Sequence, residues 1–168
     1  MDGREQAADR DGPEHAAAAG LTGRRALHCR GVALAMRAAA PLVGLDPGEA
    51  ALCGWVHDIG WMDGDNRSHA RIGGLLLKEE GCRFWREVAL HGSVGGLVSP
   101  LGVLLNAADM SVDSGGVLVG FKGRLDDVVR RYGAGSVQAA ECSALMDALE
   151  GTAEWRAFVR ANHVPQGR

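Results

Sequence analysis

No two of the four cysteines stand close enough to form a Cys-x-x-Cys pair; Cys29, Cys53, Cys82 and Cys142 are widely spaced. The spacing gives no motif for a thiolate metal site or a disulfide framework, and the four read most simply as small buried hydrophobes with free thiols. Long apolar runs are also missing. Pro100, Asn106 and Asp109 interrupt the longest of them well short of a bilayer span, so no membrane partner is expected. Nor is there a run of Lys or Arg. With 18 basic and 21 acidic residues the net charge is −3, and the electrostatic footprint of a nucleic-acid duplex binder is absent. The N-terminal segment lacks the apolar stretch of a secretory signal, which points to the cytoplasm. There is no internal repeat, no phosphate-cradling glycine loop and no sustained period-2 alternation.

What the chain does have is helical periodicity, over a length of 168 residues that suits one domain. Residues 1–22, rich in Ala, Gly and alternating charge, read as a flexible tail that contains His15. Residues 23–162 read as an all-α domain, a single compact helical bundle, and 163–168 as a frayed end. A first helix over about 24–40 aligns His28, Val32, Ala35 and Ala39 until Pro41 stops it. Asp46-Pro47-Gly48-Glu49 is a capping box that starts a second helix, expected to run toward Gly60 through His57-Asp58. Ala50, Ala51 and Gly54 would let a neighbouring helix come close to that pair. After a polar loop with a turn signal at Asp63-Gly64-Asp65-Asn66, Ser68 is expected to cap a helix that aligns His69, Ile72, Gly73 and Leu76. The next helix puts Phe84, Val88 and His91 on one face. Ser99-Pro100 opens a helix with the stripe Leu101, Leu104, Leu105, Ala108 and Val112, and Asp109 lies at its edge. A loop over 113–120 leads to a helix over 121–132. Ser136 caps a last amphipathic region, which Gly151-Thr152 interrupts.

Five ionisable residues sit on core-facing helix surfaces near a terminus: His28, His57, Asp58, His69 and His91. Asp109 makes a sixth. Each would need its own buried hydrogen-bond partner, whereas metal coordination satisfies all six together. Adjacent helix positions diverge by about 100°, so His57 and Asp58 reach one ion only from an edge of the face, and Asp58 leans toward a second. Imidazole and carboxylate without thiolate suit iron, manganese, cobalt, nickel or zinc.

The order His28, His57-Asp58, His69, His91, Asp109 resembles the HD-domain superfamily of metal-dependent phosphohydrolases, and His57-Asp58-Ile59-Gly60 spells the motif of its HDIG branch. Ala108-Asp109-Met110-Ser111-Val112-Asp113-Ser114, followed by Arg124-Leu125 and Arg131-Tyr132-Gly133, is similar to small stand-alone bacterial members, and the match covers about residues 24–135. The resemblance implies a helical bundle in which His28, His57, Asp58 and Asp109 form a first metal site. His69 and His91 would add a second ion, with Asp58 bridging. Two divalent ions are implied, iron or manganese foremost. The implied activity is hydrolysis of a small phosphorylated substrate, a phosphate ester, phosphodiester or nucleotide, by a metal-activated water, with His57, Asp58, His69 and His91 in the catalytic centre.

Two departures stand out. Many relatives carry Lys or Arg directly after the Gly of the motif, where this chain has Trp61; Arg67, Arg71, Lys78, Lys122 and Arg124 are candidate replacements. His91 is followed by Gly92, so the paired histidines and GYP loop of the cyclic-di-GMP branch are missing. Asp63 and Asp65 could assist a leaving group, with a turn role as the simpler expectation. Two other functions fit the same residues: an HD-type di-iron oxygenase, and a non-catalytic helical sensor or interaction module.

Overall fold

The computed structural model describes residues 20–65 and 67–164. Among them the secondary structure is helical, with one isolated antiparallel bridge between Val112 and Leu118. The expected tail, with His15, falls almost wholly outside the described residues, as does most of the expected C-terminal end.

Eight α-helices follow in order: α1 Gly23–Ala39, α2 Pro47–Val56, α3 His69–Glu79, α4 Trp85–Leu90, α5 Pro100–Asp109, α6 Gly120–Tyr132, α7 Val137–Glu150 and α8 Ala153–Asn162. Short 3-10 turns lie at Ala40–Val43, Ile59–Met62 and Val94–Gly96. None of the described helices is long and apolar enough to cross a membrane. The bundle is built around α5. Every residue of α5 from Leu101 to Asp109 is buried, and a helix with no polar face has to be enclosed by others. α1, α4, α7 and α8 pack around it, and α1 also packs along α2. The core continues through Met36, Val56, Val88, Leu145, Leu149 and Phe158, with the Trp155 ring stacked on Phe121 at 3.9 Å. All four cysteines are free thiols, and all but Cys82 are buried.

Capping follows the expected chemistry at three starts: Asp46 accepts from the Glu49 amide, Ser99 from Gly102 and Ser136 from Ala139. Several boundaries differ from expectation. α4 spans only Trp85–Leu90, so Phe84 and His91 flank it instead of sharing a helical face, and α5 ends at Asp109, before Val112. α2 ends at Val56, and His57 and Asp58 form a turn before the Ile59–Met62 3-10 segment. The His57 ring donates from Nδ1 to the Gly54 carbonyl at 2.8 Å, the acceptor that a further α-turn would need for the Asp58 amide. Ser68 does not cap α3 with its side chain. Asp65 organises this helix start instead. Its Oδ1 accepts from the amides of Arg67 and Ser68, while the Ser68 hydroxyl accepts from the Asp65 amide. Asp65 is thus a turn residue.

Two glycines set how closely the elements meet at the site. A Cβ on Gly54 would lie 2.7 Å from Ala33 Cα, so α1 and α2 touch backbone to backbone. One on Gly60 would lie 2.1 Å from the His69 carbonyl oxygen and 2.4 Å from the Gly73 nitrogen. Any side chain at Gly60 would push α3, and His69 with it, away from Asp58.

Candidate metal centre

Four helix ends and one helix face bring the six residues together. His28 comes from the buried side of α1, His57 and Asp58 from the turn after α2, and His69 is the first residue of α3. His91 follows α4 in extended backbone, and Asp109 closes α5. His69 is half-buried and the other five are buried. Three overlapping groups, His28–His57–Asp58, His57–His91–Asp109 and Asp58–His69–His91, each hold their ligand atoms within 4.8 Å of one another, close enough to share a metal ion.

The four rings are oriented in one way. Each donates its Nδ1–H to a main-chain carbonyl: His28 to Asp113 at 3.0 Å, His57 to Gly54 at 2.8 Å, His69 to Asp65 at 3.1 Å and His91 to Val88 at 2.7 Å. An acceptor on one ring nitrogen fixes the tautomer and aims the other, as a metal-binding histidine requires. All four Nε2 atoms then converge on two carboxylates. Asp58 divides its oxygens between them. Oδ2 lies 3.6 Å from His57 Nε2 and 4.0 Å from His28 Nε2, and Oδ1 lies 3.3 Å from His69 and 3.5 Å from His91. Asp109 Oδ1 stands 3.0 Å from His28 Nε2 and 3.8 Å from His57 Nε2.

Electrostatics match this layout. Burial pushes the His57 imidazole down to about 4, against the pull of Asp58, so the ring is neutral and its Nε2 carries a lone pair. That Nε2 is buried and has no hydrogen-bond partner, an arrangement that costs about 1–3 kcal/mol unless something accepts the lone pair. The Nε2 atoms of His69 and His91 face each other at 3.2 Å. Burial raises both aspartates, yet the hydrogen bonds from His69 and His91 and the charge of Arg25 hold Asp58 well below the usual carboxylate range. The His28 hydrogen bond and the charge of Arg124 do the same for Asp109. Burial lowers His91, but the hydrogen bond and charge of Asp58 outweigh it and raise the ring. A cation among these atoms would satisfy the orphaned His57 nitrogen and both anions at once. The donor set fits a hard or borderline divalent metal.

A cavity of about 220 Å³ adjoins the cluster and is ringed by Arg24, Arg25, Arg124 and Arg131. Arg25 carries no motif signal in the sequence, although it lies one turn before His28 on the same helix. Its guanidinium donates to Asp58 Oδ2 at 2.5 Å and sits 4.1 Å over the Trp61 ring, which stacks on His69 at 4.8 Å. Trp61 therefore carries a cation on its face. Of the candidate replacements, Arg124 reaches the cavity, 3.9 Å from Asp109, with a buried Nε that has no hydrogen-bond partner. Lys122 pairs with Asp126 and Lys78 lies over Trp85, both away from it. Arg67 and Arg71 border a neighbouring groove. A second residue that sequence reasoning misses is Asn106, whose buried side chain accepts from the Gly92 amide at 2.7 Å and donates to the Gly102 carbonyl. In the sequence it is only a polar break in an apolar helix. No family model matches the chain, and no curated protein or solved structure matches it either.

Proposed function

We propose that the chain is a metal-dependent phosphohydrolase of the HD type, acting on a phosphate ester, phosphodiester or nucleotide. The observation that carries this reading is the convergence of four imidazole Nε2 atoms on two shared carboxylates beside a cavity ringed by arginines. His28, His57, Asp109 and Asp58 would hold one divalent ion, and His69 and His91 a second with the other oxygen of Asp58. Ions bound there would supply a water of lowered pKa and neutralise charge on a phosphoryl group.

The chain's own residues do the rest. The four Nδ1 bonds keep the rings from turning away. Arg25 and Arg124 flank the carboxylates from the cavity side, where a planar guanidinium can hold two phosphoryl oxygens. The Trp61 ring backs the face of Arg25 and limits where that cation can point. Burial of five of the six residues strengthens each of these charge interactions.

The same six ligands also suit a di-iron oxygenase; the arginine ring favours the hydrolase, because it asks for an anionic substrate. Elemental analysis of protein purified without chelator, paired with a panel of phosphate esters and Mn²⁺, tests the reading. About two metals per chain and phosphoester cleavage that is lost in His57→Ala and Asp58→Ala are expected. Two irons with dioxygen consumption and no phosphoester cleavage would move the function to the oxygenase. A metal-free protein with neither activity would leave a sensor or interaction module.

A further inference from the structure

The cavity over the cluster is not the only space that reaches the ligand histidines. A wider groove of about 630 Å³ runs between the start of α3, the residues after α4 and one face of α7. Both spaces are lined by His69, His91 and Gly92, with Gln138 and the Glu141 carboxylate on the α7 side, so they meet at one edge of the candidate metal centre. Their linings differ. The smaller one carries the four arginines already described, and the groove carries Arg67 and Arg71 with the exposed apolar side chains of Leu90 and Val94. Neither Arg67 nor Arg71 has a carboxylate within ion-pair distance among the described residues, unlike Arg83, Arg130 and Arg131, which are each paired.

A phosphate monoester has one organic arm and a terminal phosphate, and one compartment is enough for it. It has no use for two spaces meeting at the reacting centre, or for a second pair of free guanidiniums. We infer that the substrate is an internal phosphodiester whose two arms occupy the two spaces, the arm in the groove bearing its own negative group against Arg67 and Arg71 and a flat or apolar portion against Leu90 and Val94. Linear dinucleotides are the chemical class that combines these features. This inference rests on the hydrolase reading. In the reaction the oxygen of a water forms a new bond to phosphorus as the P–O bond to one arm breaks. One water proton ends on the departing hydroxyl and the other is released from the new phosphate monoester.

A 5′-phosphorylated thymidine dinucleotide tests this within one molecule, since it holds a terminal monoester and an internal diester. With Mn²⁺-loaded protein the expected products are mononucleotides or nucleoside with no release of inorganic phosphate. In the Arg67→Ala/Arg71→Ala double variant KM for the dinucleotide should rise at least about tenfold, the loss of a charge-assisted contact, with kcat within about twofold, and with metal content and Tm unchanged. Both residues are exposed, so the double variant should fold. Release of inorganic phosphate from the terminal position, or from p-nitrophenyl phosphate with the diester left intact, would overturn the inference and leave the hydrolase standing. So would an unchanged KM in the double variant. No turnover of either compound by metal-loaded protein would remove both.

Discussion

The side chain of Asn106, buried in the middle of α5, accepts the amide hydrogen of Gly92 at 2.7 Å and so ties the central helix to the residue that follows His91. Gly92 has φ +77, a left-handed conformation that lets the chain turn sharply after the histidine. Asn106 is therefore a positioning residue: its hydrogen bonds go to Gly92 and Gly102, and it holds the turn that presents His91.

Asn106→Leu keeps the branched outline of the side chain, with somewhat more bulk, and removes the acceptor. It should cost about 1–3 kcal/mol of stability and lower the metal content from about two ions per chain toward one. Asn106→Asp retains the acceptor oxygen and should restore the second ion. Full occupancy in Asn106→Leu, measured by elemental analysis after dialysis, would show that His91 needs no such support.

Asp58 presents one oxygen to each half of the cluster, so removing it should empty both halves. Asp58→Ala should bind neither ion tightly and lose roughly a hundredfold or more in phosphoester cleavage, given that changes one shell further out already cost about 10–100-fold. Because metal binding and folding are linked, wild-type protein should melt at a higher temperature with Mn²⁺ than with chelator. That difference should vanish in Asp58→Ala. An equal shift in both proteins would place the metal elsewhere.

Arg25 is one-third exposed, so its ion pair with Asp58 should add little to stability, about 1 kcal/mol or less. On the hydrolase reading its effect belongs to substrate. Arg25→Ala should raise KM for a phosphoester by about tenfold, and Arg25→Lys should recover only part of it, since an ammonium cannot grip two oxygens in one plane. Equal kinetics in wild type and Arg25→Ala would take this residue out of the substrate site.

The pH dependence of the metal-free protein follows from the two buried rings. Burial pushes His57 down to about 4 from its ordinary value of 6.5. Between those values the unfolded chain takes up a proton that the native site refuses, so stability falls as pH drops through this window, by roughly 3 kcal/mol over its full width. His91 is shifted the other way. Its contribution is complete below about pH 6.5 and fades as pH rises through its native value. Asp58 and Asp109, both lowered, add a further loss only below about pH 4. Urea unfolding of chelator-treated protein should give greatest stability near pH 6.5. Constant stability between pH 4 and 6.5 would contradict a neutral buried His57.

Much of this site is legible in the sequence because its residues sit where capping chemistry and apolar stripes mark helix ends. His69 begins a helix that the turn residues announce, Asp109 lies at the edge of an unbroken apolar stripe, and His57-Asp58 follow a helix with an Asp-Pro start. Periodicity does not reveal which side-chain atom finishes a helix, so the end of α2 at Val56 and the Asp65 cap are visible only in three dimensions. Arg25 and Asn106 escape notice for different reasons. An arginine on an exposed helix edge looks like a solvated charge until Trp61 is seen beneath it. An asparagine within an apolar helix has its partner, the Gly92 amide, fourteen residues away on another element.

Three of the four candidate ligand rings are aimed from close by along the chain: His57 by Gly54, His69 by Asp65 and His91 by Val88, each three or four residues earlier. His28 alone takes its direction from far away, through Asp113, 85 positions along. The cluster is thus a set of pre-aimed pieces plus one ring whose aim is long-range. Partial loosening of the tertiary packing should leave His57, His69 and His91 pointed as they are, while His28 loses its bearing as soon as the segment carrying Asp113 departs. Order at His28 therefore reports on the closure of the whole bundle.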